Sequence, residues 1–277
     1  MNVGIVGLGL IGASAAKAYK EAGHTVFGAD LDPLIASFAV LDGAVHDVLD
    51  ESRLSECQLL LLCIYPEGVL EWLEKHAAHV AADTLVMDFA GVKGVITESA
   101  FKIAQERGFL FVGGHPMAGS HRSGYAASRA NLFRSASFVA VPARFDDPDL
   151  FSRVKSALAP LGFGRYTFCH AEEHDRMIAY TSQLAHVLSS AYARSEASAK
   201  HRGFSAGSWK DLTRVAHLNE EMWATLFLDN REALLAELDE LLLHLGEYRA
   251  AIDASDRAAL VSVLRDGRLK KSAADRP

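Results

Sequence analysis

Cysteine is scarce in this chain. Three stand in 277 residues, Cys57, Cys63 and Cys169, widely spaced and without a C-x-x-C pair, so neither a disulfide framework nor a thiolate metal centre is expected, and a reducing, cytoplasmic setting suits them. Basic charge is also short: 28 Lys plus Arg face 35 Asp plus Glu, a net charge of -7. With no dense basic block, nucleic acid is not an expected partner. No apolar run is long enough to span a bilayer. Met1-Asn2 leads straight into strand-forming residues, with no basic leader or small-residue cleavage site, so no membrane or secretory role is expected. What is present is 50% apolar and 23% charged, enough for a sizeable core, and the length favours two domains.

Val3-Gly4-Ile5-Val6 reads as a strand, followed by Gly7-Leu8-Gly9-Leu10-Ile11-Gly12 and a helix-forming run from Ala13. This is G-x-G-x-x-G between a strand and a helix, the context in which it binds a dinucleotide. Gly7 allows the tight turn, Gly9 lets a pyrophosphate approach, and Gly12 lets helix and strand pack closely; free N–H groups at the helix start then face the phosphates. A second strand, Thr25–Ala29, ends at Asp30. A carboxylate there accepts from ribose hydroxyls and repels a 2′-phosphate, so NAD is favoured over NADP. Asp32 reads as the N-cap of a helix with Pro33 at its first position.

Strands and helices keep alternating. Leu59–Ile64 is continuously apolar, as a strand covered on both faces should be, and its end at Tyr65-Pro66 is expected to touch the cofactor. Thr84–Asp88 is another strand, turning through Gly91 into a helix that runs to about Arg107; Phe109–Val112 is the next, Ala136–Pro142 and Tyr166–Phe168 are later ones, and a helix spans Asp147 to Leu161. The pattern predicts an α/β doubly wound Rossmann-type parallel sheet over residues 1–168. From Cys169 everything reads as helix, so residues 169–277 are expected to form an all-helical domain.

Candidate chemistry centres on Gly113-Gly114-His115-Pro116-Met117-Ala118-Gly119, which sets His115 just beyond a strand's carboxyl end, where open α/β sheets bind ligands. The competing reading is an incidental histidine in a Gly-rich surface loop. On the helix after Ala171, one stripe carries Asp175, Ala179, Ser182, His186 and Ser189, either a solvated face or the lining of a ligand pocket. Gly203 to Ser208 interrupts the helices, Trp209–Leu218 restarts them, and Asn219 reads as a cap. Leu234 to Leu245 forms a leucine-rich stripe that is core or subunit interface, and Asp266–Pro277 reads as a frayed tail.

The glycine turn, His115-Pro116-Met117-Ala118-Gly119 with Ser123-Gly124, His174-Asp175 with Ser182 and His186, and Lys210-Asp211-Leu212-Thr213-Arg214 occur in this order, and together they resemble the prephenate/arogenate dehydrogenase family of tyrosine biosynthesis over nearly the whole chain. The resemblance implies oxidative decarboxylation of prephenate with NAD and no metal. It implies that His115 bonds the substrate's C4 hydroxyl and takes its proton, and that Arg214 binds a substrate carboxylate. It further implies that His186 and Ser182 line the pocket from the helical domain, and that the helical domain forms a homodimer. Two positions depart from the family pattern. Gly91 stands where a serine is common, a hydroxyl that a water or Ser120 would replace, and the simplest account of that glycine is a turn with positive φ. His121 stands where an acid is common, which favours prephenate over the ammonium-bearing arogenate. The alternatives are a β-hydroxyacid dehydrogenase or pyrroline-carboxylate reductase of similar layout, and a nucleotide-sensing module without turnover.

Overall fold

The computed structural model describes residues 1–120 and 122–276. Its strands are β1 (Asn2–Val6), β2 (Thr25–Ala29), β3 (Asp47–Val48), β4 (Leu59–Leu62), β5 (Leu85–Asp88), β6 (Leu110–Pro116), β7 (Ser137–Pro142) and β8 (Arg165–Phe168). They form one sheet in the order β3-β2-β1-β4-β5-β6-β7-β8. Every neighbouring pair is parallel except β6 with β7. The helices are α1 (Leu10–Glu21), α2 (Pro33–Leu41), a single turn α3 (Glu51–Leu54), α4 (Pro66–His76), α5 (Gly94–Arg107), α6 (Pro148–Leu158), α7 (Ala171–Ile178), α8 (Leu184–Ala193), α9 (Gly207–Thr213), α10 (Glu220–Asp229), α11 (Arg231–Asp253) and α12 (Arg257–Ala274).

Why β4 reads as four consecutive leucines follows from the layers on either side of it. Successive strand side chains point to opposite faces. Leu59 and Leu61 enter a core shared with α1, α2 and α6, while Leu60 and Leu62 enter a second core shared with α4 and α5. All four are fully buried. The two-sided Rossmann-type sheet is thereby accounted for, and helical caps follow the sequence reading: Asp32 accepts from Leu34 N at 2.9 Å with Pro33 next to it, and Asn219 accepts from Met222 N at 2.9 Å.

Four expectations are corrected. β6 does not stop at Val112: antiparallel β7 supplies partners past the end of β5, pairing Gly114 with Ala140 and His115 with Val139, so His115 lies in a strand and not in a loop. The helix expected after Ala171 is interrupted by a π-helical turn at Ala179–Gln183 and ends in α8 at Ala193. The helix expected over Trp209–Leu218 closes at Thr213, which leaves Arg214 at its C-cap. Residues 266–274 are not frayed but belong to α12, whose Asp256 cap accepts from Ala258 N and Ala259 N, and whose last turns carry the Lys270–Asp266 and Lys271–Asp275 pairs, while Pro277 lies outside the described residues.

The glycine turn is fixed by contact. A Cβ on Gly12 would lie 1.8 Å from the Gly7 carbonyl oxygen, and Gly7 itself has φ +87° with its Cβ position 2.5 Å from the Cys63 oxygen. Gly9 meets nothing within 4 Å. Gly12→Ala should therefore lower stability by ~1–3 kcal/mol or more through overpacking, while Gly9→Ala should melt like wild type. Thermal unfolding of the two variants distinguishes them, and equal losses would contradict this assignment of space.

Candidate active site

Parallel order brings four turns to one edge of the sheet: Gly7–Gly12 after β1, Tyr65-Pro66 after β4, Phe89–Lys93 after β5, and the end of β6 with His115. β1 lies between β2 and β4, the point at which the strand order reverses and the crevice of such folds opens. The space over Gly9 suits a pyrophosphate approaching the backbone. Asp30 is already oriented toward this turn: one carboxylate oxygen accepts from Leu8 N at 2.7 Å and the other from Asp32 N at 3.0 Å. Each oxygen keeps a lone pair for a ribose hydroxyl, whereas the Leu8 N–H is committed to Asp30. The first N–H groups of α1, at Leu10, Ile11 and Gly12, remain as phosphate donors. Tyr65 is the exposed N-cap of α4, and Pro66 is its buried first residue.

His115 Nδ1 lies 2.9 Å from His174 Nε2, and His174 Nδ1 lies 2.6 Å from Asp175 Oδ1. Asp175 is held in turn by the start of α5, its two oxygens accepting from Lys93 N at 2.8 Å and Gly94 N at 2.7 Å. A carboxylate only accepts, so His174 carries its proton on Nδ1 and, when neutral, presents a bare Nε2. His115 must then donate from Nδ1. Its Nε2 then carries the lone pair, and among the described residues no side chain hydrogen-bonds to it. Burial holds the pKa of His115 well below the ordinary histidine value, with His174 and Lys93 adding to the effect. Burial also lowers His174, against the pull of Asp175.

The helical half contributes a second imidazole. His186 Nδ1 donates to the Ser182 carbonyl at 2.8 Å, and its ring stacks on Trp223 at 3.7 Å between centroids. Ser182 therefore meets His186 through its backbone and not its hydroxyl. Burial lowers the His186 pKa, the hydrogen bond to Ser182 opposes this, and the charge of Arg214 lowers it further. Arg214 is exposed. Among the described residues no hydrogen bond joins His186 to His115.

Three sequence expectations need restating. Ser120 is exposed and its hydroxyl accepts from Arg122 N at 3.1 Å, so it does not replace the missing serine; His174 is the partner of His115 instead. Gly91 is not among the positive-φ glycines; its Cβ position is instead 3.2 Å from Leu226 Cδ2, so α10 crowds this turn. His121 lies outside the described residues. The sequence reading missed the His174–Asp175 chain and the buried pair of Lys93 with Asp88 beneath it. The adjacent His174-Asp175 dipeptide was visible, but its partner lies 59 residues away.

A family model described as the nucleotide-binding domain of prephenate dehydrogenase matches residues 15–165, and one described as the dimerization domain of prephenate dehydrogenase matches residues 170–266. The glycine turn precedes the first span, so its reading rests on the contacts above. A prephenate dehydrogenase of Lactococcus lactis subsp. cremoris is 31% identical over 278 residues, covering 95% of this chain and 75% of its own. Among solved structures, arogenate dehydrogenase of Synechocystis is 29% identical with a TM-score of 0.83, covering 99% of each chain. Prephenate dehydrogenase of A. aeolicus, in complex with hydroxyphenyl propionate and NAD+, is 26% identical with a TM-score of 0.85, covering 99% of this chain and 98% of that one.

The buried imidazoles have a consequence for stability. Both His115 and His174 have pKa values lowered by folding, so below about pH 6.5 the unfolded chain takes up protons that the folded chain refuses, and stability falls as pH drops. Each such proton is worth about 1.4 kcal/mol per pH unit. Denaturant unfolding of wild type and His174→Asn across this range should show the variant losing less stability on acidification, by up to one proton. Parallel pH dependences would mean that His174 protonates equally in both states.

Proposed function

The chain belongs to the prephenate dehydrogenase family of oxidoreductases, and from that premise we propose that it converts prephenate, with NAD+, to 4-hydroxyphenylpyruvate, CO2 and NADH. The observation that carries this reading is the chain from Asp175 through His174 to His115, which leaves a neutral His115 Nε2 free at the sheet edge. Bound NAD+ supplies the hydride acceptor. In our reading, Gly9, the start of α1 and Asp30 hold it; the carboxylate of Asp30 favours a free ribose 2′-hydroxyl over a phosphate.

His115 accepts the C4 hydroxyl proton as hydride leaves C4, so positive charge does not build up on that carbon. The bond from the ring to its carboxylate then breaks, CO2 departs, and the electron pair makes the ring aromatic. His115 returns its proton to the oxygen, which becomes the phenol. The step thus balances without net proton release. His174 supports this cycle by fixing the His115 tautomer, as an orienting carboxylate does in a hydrolase triad. Arg214, exposed at the C-cap of α9, provides a planar guanidinium for a substrate carboxylate. His186, held by Ser182 and Trp223, presents Nε2 as a second polar contact. Prephenate has two carboxylates and no ammonium, which suits a site with Arg214 and without an acid at position 121.

We further propose a homodimer built on the helical half. The leucine stripe of α11 divides: Leu234 is buried, with Leu238 and Leu241 packed beside it, whereas Leu235, Leu242 and Leu245 are 43%, 56% and 48% exposed. A second copy would cover this outer face. Leu235→Glu with Leu242→Glu should yield a folded monomer by light scattering; a folded dimer would remove this face from the interface.

The decisive assay follows NADH formation from NAD+ with prephenate and, separately, arogenate. Prephenate should give the higher kcat/KM, and a preference for arogenate would reverse the substrate reading. His115→Asn should lower kcat by roughly 10²–10⁴ while leaving substrate binding, because a positioned general base contributes about that much. In wild type kcat should fall only at pH values well below the usual histidine range, since the His115 pKa is depressed. That limb should be absent from His115→Asn.

A further inference from the structure

Lys93 and Asp88 are both fully buried beneath this site, and no step above uses either side chain. Lys93 Nζ contacts Asp88 Oδ1 and donates to the Gly114 carbonyl at 2.7 Å. Its methylenes run under β6 so closely that a Cβ on Gly113 would come within 3.1 Å of Lys93 Cδ. The backbone N–H of the same residue donates to Asp175 Oδ1. Lys93 therefore grips both ends of the chain, the peptide that precedes His115 and the carboxylate that orients His174. Burial lowers the Lys93 pKa, while the Asp88 and Asp175 carboxylates pull it back up; with Asp88 and the Gly114 carbonyl both accepting from Nζ the ammonium form is held, and a cation enclosed in protein acts on neighbouring groups with little screening.

We propose that Lys93 is a positioning residue for His115, acting through the Gly114 carbonyl on the placement of the ring and through its own charge on the protonation of the ring. The proposal rests on the reading of His115 as proton acceptor. His174 and Lys93 face His115, and both disfavour its imidazolium. Lys93, Asp175 and Asp88 face His174, where the two carboxylates favour the imidazolium and Lys93 opposes them. This opposition matters, because a protonated His174 has no lone pair to accept from His115 Nδ1, and the tautomer that frees His115 Nε2 would be lost. The charge on Lys93 thus protects the base at two points of the chain.

Lys93→Met keeps the length of the side chain and removes both the donor and the charge. It also strands Asp88, whose Oδ2 has no partner among the described residues, so Lys93→Met with Asp88→Asn is made beside it and decides the question if the single variant does not fold. The ionisation of His115 is followed by NMR of 15N-labelled histidine, its signal assigned by its loss in His115→Asn. In both folded variants the His115 midpoint should rise by roughly one pH unit, the usual effect of removing one nearby charge, and the acidic limb of kcat should move up with it. KM should change much less. A folded variant in which His115 titrates as in wild type would overturn the proposal. If His115 shifts but the kcat limb does not follow, the role of Lys93 stands, and what fails is the assignment of His115 as the proton acceptor.

Discussion

One hydrogen-bond chain joins the two halves of this molecule and sets the tautomer of His115. It begins at the N–H groups of Lys93 and Gly94, passes through Asp175 and His174, and ends on His115. A buried carboxylate without partners costs several kcal/mol. At the start of α5 it meets two unpaired N–H groups and the positive end of a helix, where hydrogen bonds to a charged group are worth about 1.5–3 kcal/mol each. The docking of α7 on the sheet is therefore directional as well as apolar. The tautomer of a strand residue, His115, is dictated by a residue from the helical half, His174.

That docking has further supports. Asn230 donates to the Asp175 carbonyl at 2.8 Å and to Gln183 Oε1 at 2.8 Å, while Gln183 donates to the Leu226 carbonyl at 2.9 Å. Leu226 in turn sits against Gly91. The π-helical turn places Gln183 in this network. A regular helix would rotate that side chain relative to Asp175, which gives the irregularity a packing reason. Residues that hold Asp175 thus come from α5, α11 and the π turn together.

Local features of the site were legible in the sequence because their causes are local. Gly7, Gly9 and Gly12 follow a strand and open a helix; Asp30 ends the next strand; Asp32 and Asn219 cap helices; Leu59–Leu62 must lie between two layers. What escaped the reading depends on distant partners. The extension of β6 over His115 needs β7, more than twenty residues on. His174 reads as one polar position on a helix until the sheet arrives beside it. Lys93, in a turn after Gly91, looks like a solvated lysine, and only the tertiary structure buries it. Gly91 reads as answering a backbone demand, whereas the constraint is a leucine from α10.

The buried pair bears on why the site takes this form. Enclosing Lys93 and Asp88 removes two charges from water, and the mutual attraction of such a pair commonly offsets that loss without exceeding it. An apolar pair of similar volume would serve stability as well or better. Stability alone therefore does not account for an ammonium at this position. Gly114 supplies part of the reason, since its carbonyl sits in a strand segment beyond the last β5 partner at Gly113 and would otherwise be buried beside Asp88 without a donor from that side. The remainder lies in the imidazoles above. In the role proposed for His115, a positive charge nearby serves to keep the imidazoles neutral, because the carboxylate that orients His174 also favours its taking a second proton. Lys93 opposes that proton from below while its backbone helps hold the same carboxylate in place.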